Sequence, residues 1–346
     1  MKFLLGKLIS AFLVLSGVVL LIFTLFILFP SAEEIAAGQR SDASTLNAMR
    51  AEMGLDKSKS EQLILYLKDL SPLVVCKENP NYKGLTFSLY NDVQLYVKLP
   101  YLRKSYLSRK PVSDILSEAF VGSLVLAVFA MIIALILGIG AGVLSAIRPG
   151  SMVDRFCLAI ATLGVSLPSF FLAVLFAWIF GYLLKSFTGL SMTGSLYSIN
   201  PLNGEQYIDF RHIVLPSLAL GIRPFAIIMQ LTRSSLIDVM KQDYIRTARA
   251  KGLSEFSVIY KHALRNALNP VVTAASGWFA SLLTGAFFIE YIFSWKGLGK
   301  VTIDALQQSD LPVVMGSVLL VALIFIVVNL IVDVLYVRLD PRVKLS

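Results

Sequence analysis

Three ionisable side chains stand within or beside long apolar stretches: Arg223, Glu290 and Asp333. A charge at membrane depth is costly, so each must face a water-filled path, pair with another polar group, or sit at a boundary. Arg223 lies about ten residues, or roughly 15 Å of helix, before Arg233 and directly precedes Pro224. These three are the candidate translocation-path residues, against structural ion pairs, helix–helix hydrogen bonds or boundary positions. Catalytic arrangements are missing. GLGKVT at Gly297 lacks the upstream glycine and the Ser or Thr after Lys that a phosphate-binding loop requires, and neither HExxH nor GxSxG occurs. His212 and His262 fall on opposite membrane sides, and Cys76 and Cys157 in different environments, one extracytoplasmic and one membrane-embedded, so no metal site or disulfide is expected. The chain reads as non-enzymatic, with no cofactor of its own.

A second kind of chemistry is recognition. The stretch from Asp243 to Pro270, DYIRTARAKGLSEFSVIYKHALRNALNP, is polar, basic and helix-compatible between apolar segments. Gly252 stands where two short helices meet at an angle. Ala248, Ala250, Gly252 and Ala263 offer small surfaces for close approach, while Leu253, Phe256, Val258, Ile259 and Tyr260 offer an apolar anchor. The surrounding Arg and Lys suit an acidic groove on a soluble partner. A short helix held in that way transmits rigid-body motion to the spans behind it.

The elements that position these residues follow from composition. Of 346 residues, 56% are hydrophobic and 15% charged, which points to a membrane protein. The net charge of +9 does not indicate nucleic acid, because many basic residues lie in short loops beside apolar spans, as the positive-inside rule expects. Six spans are expected, near 8–29, 117–147, 156–184, 213–232, 271–293 and 313–337. The expected fold class is all-α and polytopic, with both termini cytoplasmic and a cytoplasmic coupling-helix loop. Residues 1–30 form an uncleaved first helix, 31–113 an extracytoplasmic segment, 114–340 the transmembrane core with its loop at 241–270, and 341–346 a cytoplasmic tail. Within the outer segment Leu63, Leu67 and Leu70 share one face of an amphipathic helix, and the basic run Tyr101 to Lys110 reads as an interfacial anchor. GIGAG at Gly138 to Gly142 allows a neighbouring helix to come close, and Pro168 kinks the third span.

These motifs resemble the membrane subunits of dipeptide and oligopeptide ATP-binding-cassette importers, of the type I importer class. DYIRTARAKGL followed by HALRNALNP carries the resemblance, together with MGLD at Met53, LTRSS at Leu231, GAFFIEYIFSWKGLG around Glu290 and DPR at Asp340. Aligned on Gly252, Arg246, Thr247 and Ala248 take the place of the family's EAA, and His262, Ala263, Leu264 and Arg265 that of its I-x-L-P, so the family's Glu and Pro are missing. Lys296 stands where the family usually has Pro, and Arg223 matches no family feature. The resemblance implies half of a translocation pathway for peptides, or for similar solutes such as nickel complexes, in a bacterial cytoplasmic membrane. It implies a second homologous permease, two ATPase subunits that use ATP and Mg, and an extracytoplasmic substrate-binding protein. It also implies that Arg246, Thr247, Ala248, Gly252, Leu253, Phe256, His262 and Leu264 couple to an ATPase. A self-sufficient secondary transporter is the alternative; it would show internal repeats and ionisable pairs within its spans.

Overall fold

The computed structural model describes residues 2–28, 57–77, 82, 84–88, 93–200 and 203–339. The MGLD and DPR motifs and the 341–346 tail lie outside the described residues. The chain divides into two compact units, one of residues 1–7, 119–300 and 324–346, the other of residues 8–118 and 301–323.

Helices dominate. α1 runs Lys2–Leu28, α2 Lys59–Leu70 and α3 Val112–Ile147; α4 covers Met152–Ser166, α5 Ser169–Trp178 and α6 Lys185–Thr188. The long α7 spans Arg211–Val239. Three of the described helices are long and apolar enough to cross a bilayer, within 112–147, 211–239 and 311–334; α4 with α5 makes a fourth candidate, bent by 113°. That bend replaces the kinked single span expected over 156–184. Proline disfavours the helical region for the residue before it, and Leu167 accordingly adopts an extended backbone at φ −84°, ending α4 at Ser166.

The first unit is arranged about α7, which packs against α3, α4, α5 and the later helix α11, Asn269–Gly285. Small residues set these distances. A Cβ on Gly138 would come within 2.8 Å of Ile228, and one on Gly142 within 2.6 Å of Thr232. From the other side, a Cβ on Gly221 of α7 would lie 2.7 Å from the Ala130 carbonyl. Lipid gives no hydrophobic drive for helices to associate, so this backbone-level contact must supply packing energy. The fifth expected span, 271–293, is interrupted: α11 stops at Gly285, and Phe287–Ile292 forms the short α12 beyond Ala286.

The second unit corrects the all-α expectation. Leu73–Lys77 (β1), Gly84–Ser88 (β2) and Val93–Lys98 (β3) form an antiparallel sheet in the order β1-β3-β2, and Tyr197–Ile199 (β4) pairs with Gln206–Ile208 (β5) as a hairpin in the first unit. Strands β1 to β3 are rich in Val, Leu, Phe and Tyr, residues that fit a pleated surface, in runs too short for a helix of their own. One face buries Val74, Tyr96 and Lys98, whereas Leu73, Val75, Leu85, Phe87 and Val97 remain exposed on the other.

Helix α2 forms as expected, started by a capping box between Ser58 and Glu61. Its buried line differs: Gln62, Tyr66 and Asp69 point inward and Leu67 is exposed, while Leu63 and Leu70 flank a cluster of Val19, Ile22, Phe23, Tyr66 and Met315. Asp69 tolerates burial because it is partnered, accepting from Arg103 Nε and from the Tyr82 hydroxyl at 2.8 Å each. Burial lowers the Lys98 ammonium's pKa, an effect the Asp69 carboxylate opposes. In the basic run, Arg103 serves this node, and Ser105 Oγ and the Tyr106 amide donate to the buried Asp310 carboxylate at 2.5 and 3.0 Å.

Gly138→Ala and Gly142→Ala each force α7 away and cost about 1–3 kcal/mol, whereas Gly140→Ala, with nothing within 4 Å of its Cβ, does not. Thermal unfolding in detergent should lower the midpoint for the first two only; equal midpoints for all three would refute glycine-set packing.

Candidate coupling site

The basic island folds into four short pieces on the ends of α3 and α7. α8, Asp243–Ala250, follows an extended Gln242 and finishes at Lys251. Gly252 has φ +76° and donates to the Arg249 carbonyl, while the Leu253 amide donates to that of Ala248. This pair of bonds is a Schellman closure, and its left-handed residue is the reason glycine stands there. Ser254 caps α9, Glu255–Ser257, by accepting from the Ser257 amide. A wide π-type turn, Val258–Ala263, follows, then α10, Leu264–Ala267. Across the closure, the Arg249 guanidinium donates to both Glu255 oxygens at 2.8 and 3.3 Å.

The loop has two faces. Inward, Ile245, Ala248, Val258, Ile259, Ala263 and Ala267 form one core with Val143 and Ala146 of α3 and Leu236 of α7. Outward, Tyr244, Leu253, Phe256 and Tyr260 are exposed, Phe256 at 71%, with the Phe256 and Tyr260 rings 4.5 Å apart. Val258 and Ile259, expected to anchor a partner, are thus corrected to anchors for the chain's own core, since a loop this short needs buried side chains to hold its shape. A cavity of about 240 Å³ lies beneath, lined in part by Pro149, Met240, Arg249 and Glu255.

The expected coupling residues divide between these faces. Arg246, Thr247, Gly252, Leu253 and Phe256 are exposed, with Arg246 3.6 Å from Asp243 and the Thr247 hydroxyl donating to the Asp243 carbonyl at 3.0 Å. Ala248 is buried, and His262 and Leu264 are half-buried, Leu264 against the core cluster.

The loop's footing is a residue that sequence reasoning passed over. Asp154, 1% exposed in the first turn of α4, accepts from Arg233 Nε at 2.7 Å and Nη2 at 2.8 Å, from the Gly150 amide at 2.7 Å, and from the Ser145 hydroxyl. It joins the end of α3, the start of α4 and the C-terminal part of α7. In the sequence Arg233 is one basic residue among many, and no spacing links it to Asp154.

The three path candidates stand apart from the loop and from one another. Glu290 is fully buried: Oε1 accepts from Ser123 Oγ at 2.6 Å, and Oε2 from the amides of Gly299 at 2.7 Å and Lys300 at 3.3 Å. Those amides open α13, Leu298–Gln307, so Glu290 is the anion at a helix N-terminus, and a Cβ on Gly297 would collide with it at 2.4 Å. Asp333, on α14, Leu311–Leu339, pairs with Lys7 of α1 at 2.6 Å. Arg223 is exposed on α7.

Residues 138–345 match the family described as binding-protein-dependent transport system inner membrane component, and residues 1–127 match the N-terminal membrane component of such systems. The dipeptide transport system permease protein of Escherichia coli (strain K12) is 37% identical over 358 residues, covering 98% of this chain and 97% of that one. Its counterpart in Alkalihalophilus pseudofirmus is 34% identical over 346 residues, covering 96% of each. The glutathione transport system permease protein of Escherichia coli (strain K12) is 34% identical over 310 residues, covering 90% of this chain and 88% of that one. Among solved structures, an inward-facing chain of the MetNI methionine ABC transporter aligns with TM-score 0.51 at 18% identity, covering 66% of this chain and 97% of that chain; the likeness concerns the fold.

Arg233→Ala leaves the buried Asp154 carboxylate without its counter-ion and should cost about 3–5 kcal/mol, while Asp154→Ala with Arg233→Met recovers much of that loss. Thermal midpoints of the three proteins in detergent check this order; a single variant as stable as the parent would refute it.

Proposed function

The chain belongs to the family of binding-protein-dependent transport system inner membrane components, and from that premise we propose that it forms half of an ATP-driven import pathway for di- or oligopeptides. At the family level it is a multi-pass membrane permease subunit, ATP being hydrolysed by a partner ATPase and substrate delivered by a binding protein. The peptide assignment rests on the relatives, whose names specify dipeptides and glutathione, itself a peptide. We further place the protein in a bacterial cytoplasmic membrane with six spans and both termini inside, paired with a second homologous permease and two ATPases that use ATP and Mg.

The observation that carries the coupling role is the two-faced loop. Its inner face is fixed in the core shared by the ends of α3 and α7, so a displacement of the loop is delivered to both helices. Its outer face presents Leu253, Phe256 and Tyr260 among Arg246, Lys251 and Lys261, an apolar anchor within a basic rim that suits an acidic groove. In this reading Arg246, Thr247, Gly252, Leu253 and Phe256 touch the ATPase, while Ala248, His262 and Leu264 hold the loop behind them. ATP binding draws two such loops together and turns the permease pair outward; hydrolysis resets it.

Affinity purification from mild detergent tests the assembly: two ATPases and a second permease should accompany the tagged chain, and the complex with receptor should import peptide into proteoliposomes only with ATP. Recovery of the chain alone, still transporting without ATP, would overturn the proposal. Phe256→Glu should reduce ATPase recovery by about 30-fold or more, as expected for an interface hot spot. Gly252→Val, which strains the left-handed residue by about 1–2 kcal/mol, should weaken recovery, whereas Gly252→Asn, tolerant of that backbone, should retain most of it. Unaltered recovery in Phe256→Glu would remove the loop from the interface.

A further inference from the structure

Among the described residues 213–233 of α7, Arg223 is the only one classed as exposed. It sits near the middle of the helix, about 18 Å from its start at Arg211 and about 24 Å from its end at Val239 by rise per residue. No hydrogen-bond or ion-pair partner meets its guanidinium among the described residues. The opposite face of α7 is the one pressed against α3, through Gly221, Ile228 and Thr232. Following the helix from Arg223 at intervals of three and four residues gives Ile227, Gln230, Ser234 and Asp238: the first two are half-buried and the last two exposed. Apart from Ile227 these positions are polar, and they form a stripe on the most buried long helix of its unit.

Hydrocarbon cannot cover such a stripe. A lone guanidinium at mid-span is among the costliest groups to leave against lipid. Pro224, having no amide, also leaves the Leu220 carbonyl without its helix donor at the same depth. The face therefore requires water or a polar ligand. An arginine there is a fork of donors matched to a planar anion, and its exposure keeps the grip weak enough for release, as a transit site demands. Resting on the importer reading above, we propose that Arg223 is a carboxylate-holding site of the translocation path, and that it receives the C-terminal carboxylate of the peptide as it crosses. The carboxylate belongs to every free linear peptide, so the site reads the end group rather than the side chains.

The test uses the assembled transporter with its receptor in proteoliposomes. ATP-driven dipeptide uptake is compared for the parent, Arg223→Lys and Arg223→Gln. In a chain carrying Cys76→Ser and Cys157→Ser, Ile227→Cys, one turn along the stripe, is labelled with a water-soluble thiosulfonate in the presence of the dipeptide or its C-terminal amide. Arg223→Gln should slow uptake at least about tenfold, the loss expected for one charged hydrogen-bonded contact, with ATPases and second permease still co-purifying. Arg223→Lys should remain within about threefold of the parent, since charge is kept and only the fork is lost. The free dipeptide should slow labelling and the amide should not. Unchanged uptake in Arg223→Gln, or equal protection by dipeptide and amide, overturns the site. Loss of the second permease from the Arg223→Gln complex overturns it too, by making Arg223 a subunit contact. Absence of ATP-dependent uptake by the parent refutes the importer reading instead, whereas selective protection of Ile227→Cys by the carboxylate form speaks to the site independently of transport.

Discussion

A carboxylate taken out of water must be supplied with donors, and the first unit meets that requirement twice along one helix. At one end of α3, Ser145 donates to Asp154; toward the other, Ser123 donates to Glu290. The two serines stand about 33 Å apart by helix rise, close to the hydrocarbon thickness of about 30 Å. Each carboxylate then gathers what lies at its own end of the bundle: Asp154 takes the Gly150 amide and Arg233, and Glu290 takes the amides that open α13. Between these two knots the helices carry few charges, and each knot fixes the loop at its own end of α3.

What remains between the knots is held by shape. Gly138 and Gly142 on α3 receive Ile228 and Thr232 of α7, and Gly221 returns the contact against Ala130. α7 is thereby fastened along its length to α3 on one face, while Arg233 ties its C-terminal part to α4. The loop that follows α7 inherits this rigidity, because its inner core residues rest on Val143, Ala146 and Leu236 at the same ends of the same two helices. An exposed aromatic pair on a loop without such backing would absorb a push by bending.

The sequence was most legible where a long-range property sets the outcome. Apolar length located three of the six expected spans among the described residues, small residues at Gly138 and Gly142 announced close packing, and Gly252 marked the turn between two short helices. It was less legible where local chemistry overrode periodicity. Leu167 before Pro168 divided an apolar run that by composition alone reads as continuous, and Leu67 gave way to Asp69 on the buried side of α2 because Arg103, far along the chain, satisfies that carboxylate. The strands at 73–98 were obscured by a segment of mixed charge and short runs. The ion pair between Asp154 and Arg233 left no signal at all, as their separation of 79 positions follows no helical or strand repeat. Glu290 stood out for its setting, yet two of its donors are backbone amides, which no residue type discloses, and the third, Ser123, lies 167 positions away.

The wide turn at Val258–Ala263 sets the phase of everything after it. A π-type turn holds one residue more than the α-helix it interrupts. Removing one residue there restores regular winding but rotates the following chain by about 100°. Leu264 and Ala267, which now meet the core, would turn toward water, while the exposed Phe256 upstream kept its place. The loop is in this sense a keyed joint: its two faces stay in register only at this chain length, and an insertion or deletion here is a change of angle rather than of reach.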